Sequence, residues 1–310
     1  MQCTNSICCE SIIEDHCTNY TITNETGELS VKSYNVFPGI RIAYVEGEIE
    51  NCIIENNDLD VIEINHCLKG RVEREVKGEF CYLGQGDMSI NKQSDISKNS
   101  YFPLKHYKGI SILIDVKNTP KCLSCFLEDV NVQPQAINDK FCNLDNCFVL
   151  RDNSSVEHIF SELYSVSNSI KTGYFKVKIL ELLLFLSDVE VDESLIKKFC
   201  TPKSQVCLAK AACKYLLDNK DKKITIDQLS ERFHVSSTQL KNSFKVVYGM
   251  SIYSYIRTLK MHMAANMLKQ TDYTVIDIAS RFGYDNSSKF AKAFQDIVGS
   301  TPIEYRSKLD

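Results

Sequence analysis

The sequence predicts an α+β multidomain chain: an N-terminal antiparallel β unit, a short pair of linker helices, and a C-terminal all-α domain with two helix-turn-helix motifs. Three observations predict it. Short apolar-polar alternations broken by Gly, Asn and Asp fill the first half, helical apolar spacing takes over at 154 to 188, and the pattern of residues 226 to 257 returns at 275 to 306. These divide the 310 residues into 1–150, 151–200 and 201–310, and with 44% hydrophobic residues the chain is long enough for more than one core.

In the first part, "VIEINHCLKGRVEREV" alternates partly between apolar and polar positions, and "KGEFCYLGQGDMSINK" places a glycine-rich turn between two strand candidates. "GISILIDV" is dense in isoleucine, which suits a pleated, buried surface. Many short strands of this kind predict an antiparallel sandwich or barrel.

The linker region reads as two helices. Val156, Ile159, Phe160 and Leu163 share one helical face, and Phe175, Ile179, Leu182, Leu183 and Leu186 another. The second stripe is broad, so it is read either as closing the first domain or as a subunit contact, with Leu182, Leu183 and Leu186 as the dimerisation residues.

From about 203 onward the pattern is helical throughout, with helices expected at 204–218, 225–232, 237–247, 252–269, 275–281, 287–297 and 302–308. Ser236, Ser251 and Thr274 are placed to cap helix starts, and Thr301 precedes a proline at a first helical position. Gly249, Gly283 and Gly299 fall where helices should stop. Superposing the two copies pairs Leu229 with Ile278, Ser230 with Ala279, Arg232 with Arg281 and Phe233 with Phe282. After one extra residue in the second turn, Leu240 pairs with Phe290, Phe244 with Phe294, Gly249 with Gly299 and Tyr255 with Tyr305.

In a helix-turn-helix the second helix enters the major groove, so its off-core positions should be short, polar or basic. Ser237, Thr238, Lys241, Asn242 and Lys245 meet that requirement in the first copy, and Asn286, Ser288, Lys289 and Lys292 in the second. Between the copies, residues 251 to 269 can form a helix of roughly 28 Å at 1.5 Å per residue. Arg257 and Lys260 on it are candidates for phosphate contacts or for surface ion pairs.

Charge supports this division. The formal net charge of -4 conceals 17 Lys and Arg against 10 Asp and Glu in residues 201 to 310, a balance of +7, beside 19 against 30, or -11, in the remainder. A basic third beside an acidic remainder suits a chain of which only one part meets a polyanion. The start of the chain shows no signal-peptide pattern, and the longest apolar run, "ILELLLFLSDV", contains Glu181 and is too short for a transmembrane helix. A cytoplasmic protein without membrane association is expected. Fourteen cysteines are many. "CLSC" at 122 to 125 together with Cys142 and Cys147 is the one set with zinc-like spacing, and Cys3, Cys8, Cys9 and Cys17 form a second cluster. Both are weak patterns, and no metal or cofactor is expected.

The segment "DIASRFGYDNSSKFAKAFQDIVGSTPIEYR" closely resembles the DNA-binding domain of the AraC/XylS family of bacterial transcription regulators, and the resemblance extends over about 203 to 308. It implies that Thr238, Lys241 and Asn242, then Ser288, Lys289 and Lys292, read bases in double-stranded DNA. The first copy departs from the family pattern by having His234-Val235 where a glycine-aromatic turn is common. The resemblance also implies a cupin-like β-barrel before the linker helices, a small-molecule effector bound there by residues it does not identify, a homodimer, contact with RNA polymerase, and action as an activator. Two alternatives are a regulator without small-molecule input and a cupin-type metal enzyme. For the enzyme, only His66 and His106 lie in the barrel region, without a clustered carboxylate. No catalytic residues are expected.

Overall fold

The computed structural model describes residues 11–14, 17–53, 61–125, 130–143, 147–191, 200–219 and 224–307. It separates into two compact units, Met1–Lys203 and Ser204–Asp310.

The first unit contains two antiparallel sheets. The larger joins β1 (Ser11–Glu14), β2 (Cys17–Asn24), β3 (Gly27–Phe37), β4 (Ile40–Glu48), β11 (Tyr107–Asp115), β6 (Val61–Gly70), β9 (Met88–Lys92) and β12 (Phe148–Leu150), in that spatial order. The smaller joins β5 (Asn51–Ile53), β10 (Asn99–Tyr101), β7 (Val72–Val76) and β8 (Glu79–Leu83). The strands expected from "VIEINHCLKGRVEREV", "KGEFCYLGQGDMSINK" and "GISILIDV" are β6 with β7, β8 with β9, and β11.

Strand alternation gives the large sheet two different faces. Ile62 and Ile64 of β6, Ile110, Ile112 and Ile114 of β11, and Met88 and Ile90 of β9 join one core with the helices α1 (Pro134–Phe141), α2 (Ser154–Ser165) and α3 (Lys171–Asp188). On the opposite phase, Leu29, Cys67 and Tyr107 of the large sheet join Cys52, Val72 and Cys81 of the small one in a second core. Covering both faces of the large sheet explains why its central strands are buried along nearly their whole length.

The helix stripe predicted for α3 is present, but its role is corrected. Leu182, Leu183 and Leu186 are 0%, 1% and 0% exposed and pack into the isoleucine core of their own unit. A side chain already removed from water within its own unit has no apolar surface left to bury against a second subunit. The exposed apolar residues of α3 are Val177 and Leu184, on a different side of the helix. Lys178 is also buried, with its charge matched by Glu162 and by Glu181 at 2.7 Å.

The zinc-like spacing does not produce a site. Cys142 belongs to the isoleucine core and Cys147 to the other, on opposite faces of the large sheet, while Cys122 is partly exposed and Cys125 exposed. No group of three or more potential metal ligands occurs among the described residues. Cys17 is buried, and Cys3, Cys8 and Cys9 lie outside the described residues. No helix among the described residues is long and apolar enough to cross a membrane.

The second unit is helical: α4 (Lys203–Asp218), α5 (Ile226–Phe233), α6 (Ser237–Tyr248), α7 (Ile252–Gln270), α8 (Val275–Arg281), α9 (Ser287–Val298) and α10 (Pro302–Ser307). The bounds agree with the sequence pattern because the caps are local. Ser236, Ser251 and Thr274 each accept a backbone N–H from the first turn of α6, α7 and α8. Thr225 and Gln228, and Thr274 and Asp277, form reciprocal capping boxes.

Candidate nucleic-acid interface

The two repeats fold into the same local structure. Helix α5 ends with Val235 N–H donating to Ser230 O at 3.0 Å, and α8 with Tyr284 N–H donating to Ala279 O at 3.0 Å. This closing turn needs a left-handed residue, which Gly283 supplies at φ +78°. His234 takes the same place at φ +52°. The departure from glycine in the first copy therefore leaves the turn geometry intact.

Each second helix packs through one apolar stripe. In α6, Leu240, Phe244 and Val247 are fully buried, and the Phe244 ring meets Tyr255 of α7 edge-on at 5.5 Å and 76°. In α9, Phe290 and Phe294 are fully buried, and Phe294 meets Tyr305 of α10 at 5.6 Å and 74°. The aligned pairs Phe244/Phe294 and Tyr255/Tyr305 thus form one aromatic contact built twice. Sequence reasoning missed a further matched pair: Arg232 stacks over Tyr215 at 4.3 Å, and Arg281 over Tyr273 at 4.1 Å. Their recurrence after the same helix position was the available signal.

The opposite faces are polar and exposed. Thr238, Lys241, Asn242 and Lys245 on α6, and Ser288, Lys289 and Lys292 on α9, are all exposed. None of the four lysines forms an ion pair with another described residue. Two proposed positions have local work. Asn286 is the N-cap of α9, its Oδ1 accepting from Ser288 N–H at 2.8 Å and Lys289 N–H at 3.2 Å. Ser237 is half-buried, and its Oγ lies 3.3 Å from both Ser230 Oγ and Asp227 Oδ1.

The connector α7 spans 19 residues, about 28 Å at 1.5 Å each. Its basic residues are committed within the unit. Arg257 pairs with Asp296 of α9 at 2.8 Å, and Lys260 Nζ donates to Phe282 O at 3.2 Å. Both contacts brace α7 against the second motif.

A second candidate site lies in the first unit, where a cavity of about 70 Å³ opens between the sheets. Leu29, Val31, Val45 and Phe102 give it apolar walls, and a connected polar chain runs along it. Tyr107 Oη donates to Asn65 at 2.8 Å, Asn65 Nδ2 to Ser111 Oγ at 2.7 Å, and Ser111 Oγ to Glu63 at 3.3 Å. Arg74 donates to Glu63 at 3.0 Å and to Ser100 at 3.2 Å. Burial opposes the Arg74 charge, but the Glu63 carboxylate beside it leaves its pKa raised. The sequence analysis assigned no effector residues. The signal was the interleaving itself, Glu63 between Ile62 and Ile64 and Asn65 just after Ile64 in β6, and Ser111 between Ile110 and Ile112 in β11. Of the two histidines weighed as metal ligands, His66 is buried on the helix-covered side, stacked on Phe160 at 4.2 Å, whereas His106 lies on the surface with Nδ1 2.9 Å from Leu104 O.

Two successive helix-turn-helix motifs, joined by one long helix and each closed by a short supporting contact, define a double-motif helix-turn-helix domain. Residues 229–308 match the helix-turn-helix domain family. This C-terminal domain is of the AraC type. It is 38% identical over 93 residues to the F1 operon positive regulatory protein of Yersinia pestis, a match covering 30% of this chain and 31% of that protein. It is 34% identical over 88 residues to the HTH-type transcriptional regulator YtdP of Bacillus subtilis, covering 28% of this chain and 11% of that one. The chain thus spans less than a third of the length of either relative. Among solved structures, an AraC-type DNA-binding domain-containing transcriptional regulator from Chromobacterium violaceum aligns with 35% of this chain and 96% of its own, at 21% identity and a TM-score of 0.33.

Proposed function

We propose that the chain is a sequence-specific regulator of transcription that binds double-stranded DNA through α6 and α9. The observation that carries this is the pair of equivalent helices, each burying one apolar stripe and presenting lysines without ion-pair partners among the described residues, beside short polar side chains. Such faces suit base edges and phosphates. The 28 Å connector suits two helices reading major grooves about one turn, roughly 34 Å, apart. In this reading Thr238, Lys241, Asn242, Ser288, Lys289 and Lys292 touch DNA directly, while Asn286 and Ser237 mainly hold the helix starts. The chain acts in the cytoplasm, catalyses no reaction, and activates transcription by contacting RNA polymerase; the name of the Yersinia relative supports activation.

The reading includes a homodimer and a small-molecule effector. A second copy docks on α3 at Val177 and Leu184, 59% and 45% exposed and two helical turns apart. The effector binds at the cavity between the sheets, where convergent polar groups against apolar walls have the chemistry of a ligand site, and at about 70 Å³ that cavity has to widen to admit it. The test is selection of bound duplexes from a random library with the full chain, followed by titration at two salt concentrations. A consensus of two elements about one turn apart, with affinity falling steeply in salt, is expected. Equal recovery of all sequences overturns the proposal.

A further inference from the structure

The described cysteines divide by environment. Those in the sheet and helix cores are buried, and desolvation pushes Cys52 up to about 11 and Cys67 and Cys142 up to about 12. Such thiols stay protonated and unreactive. Cys122 and Cys125 are the opposite case. They lie on the segment that leads from β11 toward α1, three positions apart, with the Cys125 thiol folded back to within 3.3 Å of the Cys122 carbonyl.

The segment is held rigidly where it carries the first sulfur. Leu123 N–H donates to Val132 O at 3.0 Å, Val132 N–H donates to Ser124 Oγ at 3.0 Å, and Ser124 Oγ donates to Val130 O at 2.7 Å. Ser124 is 2% exposed, and Leu123, Val130 and Val132 anchor in the isoleucine core. Cys122 Sγ lies 3.6 Å from Ser124 Oγ, and the Cys125 thiol folds back to within 3.3 Å of Cys122 O. The Ser124 hydroxyl, the Ser124 amide and the Cys125 thiol all favour a negative sulfur at Cys122, and they hold its pKa below the ordinary thiol value. The hydrogen bond to Cys122 pushes Cys125 the other way. The Ser124 hydroxyl has one hydrogen. It serves the Val130 carbonyl while Cys122 is a thiol and can turn to Sγ when the thiolate forms.

We propose that Cys122 and Cys125 form a reversible dithiol-disulfide site, with Cys122 as the attacking thiol toward a small hydroperoxide and Cys125 as the resolving thiol. The Cys122 thiolate attacks the terminal peroxide oxygen, the O–O bond breaks, and the departing hydroxide, or alkoxide from an organic hydroperoxide, takes a proton to become water or an alcohol. This leaves a sulfenic acid on Cys122. Cys125 Sγ then attacks Cys122 Sγ, the S–O bond breaks, and a second water leaves with the Cys125 proton. Two thiols lose two electrons, the peroxide gains them, and an external dithiol reverses the step. Closure links Cys122 to Cys125 across Leu123 and Ser124, and Leu123 packs in the same core as α1 and α3. The site is independent of the DNA-binding reading.

The test uses the reduced full-length chain and hydrogen peroxide added in sub-stoichiometric steps, with acid quenching, alkylation of remaining thiols and peptide mass spectrometry. Cys207, exposed in the second unit, is the internal reference. The peptide spanning 122 to 125 is expected to lose two hydrogens about tenfold faster than Cys207 is oxidised, as an activated thiol should, and to regain them with dithiothreitol. In Cys125→Ser the reaction should stop at a dimedone-trappable sulfenic acid on Cys122, and in Cys122→Ser the residual Cys125 should react no faster than Cys207. The proposal is overturned if Cys207 oxidises as fast as the pair in the parent protein. It is equally overturned if Cys122→Ser leaves Cys125 reacting at the parental rate.

Discussion

Replacing Phe294 and Lys292 by alanine should separate the two faces of α9. Phe294 is fully buried, tilted against Phe290 at 5.9 Å and edge-on to Tyr305 at 5.6 Å. Phe294→Ala removes the transfer energy of the ring and leaves a cavity among side chains that cannot fully collapse, a loss of about 3 to 5 kcal/mol. Loss of the aromatic contacts adds to it. Lys292 lies two residues earlier and is exposed without an ion-pair partner among the described residues, so Lys292→Ala should change stability by no more than about 0.5 kcal/mol. Its effect should appear on DNA. If Lys292 meets a phosphate, the magnitude of the salt slope should fall by about 0.9. If it meets a base edge, affinity for the preferred sequence should fall by about 1 to 3 kcal/mol, with little change on a scrambled duplex. Denaturant unfolding, with the transition of the second unit followed separately, and titrations on both duplexes measure the two effects. An unaltered unfolding transition for Phe294→Ala would refute the packing argument, and unchanged affinity and salt slope for Lys292→Ala would refute the groove assignment.

His66 supplies a pH prediction. Burial pushes its imidazole down to about 4, against about 6.5 in the unfolded chain, so below pH 6.5 the unfolded state binds the proton first. Stability should be insensitive to this group above about pH 6.5, fall as pH drops from 6.5 to 4, and by pH 4 be lower by about 3 kcal/mol. His66→Gln should flatten that part of the profile, and a difference curve between parent and variant that stays level would exclude the buried imidazole as its source. Leu184→Glu should weaken self-association by about 1.5 to 3 kcal/mol, read by sedimentation, whereas Leu183→Glu should unfold the first unit; an undiminished dimer in folded Leu184→Glu places the interface elsewhere. His234→Gly should stabilise the first motif by up to about 1 kcal/mol by relieving a left-handed residue, and a lower melting temperature would show that the His234 side chain contributes more than the backbone gains.

The helices of the second unit were legible because each is delimited by its own residues. A serine or threonine that accepts a first-turn N–H, and a glycine at positive φ after the last turn, act over a few residues and need no distant partner. The repeat was equally legible, since Phe244 with Tyr255 and Phe294 with Tyr305 make the same contact at the same spacing. The antiparallel strands could be read from their alternation. The sequence alone did not decide which surface each apolar stripe covers. Leu182, Leu183 and Leu186 have the same pattern whether they face a sheet or a second subunit, and only the position of the isoleucine face against α3 assigns them to the core. Arg257 and Lys260 read equally as phosphate ligands or as surface ion pairs until Asp296 and the Phe282 carbonyl lie beside them. Glu63, Asn65, Arg74 and Ser111 come from three strands, and no local spacing announces that they converge. The sequence determined the local elements and the doubled motif, because those rest on contacts a few residues apart. The tertiary structure decided partners and burial, because they depend on which distant segments the two sheets bring together.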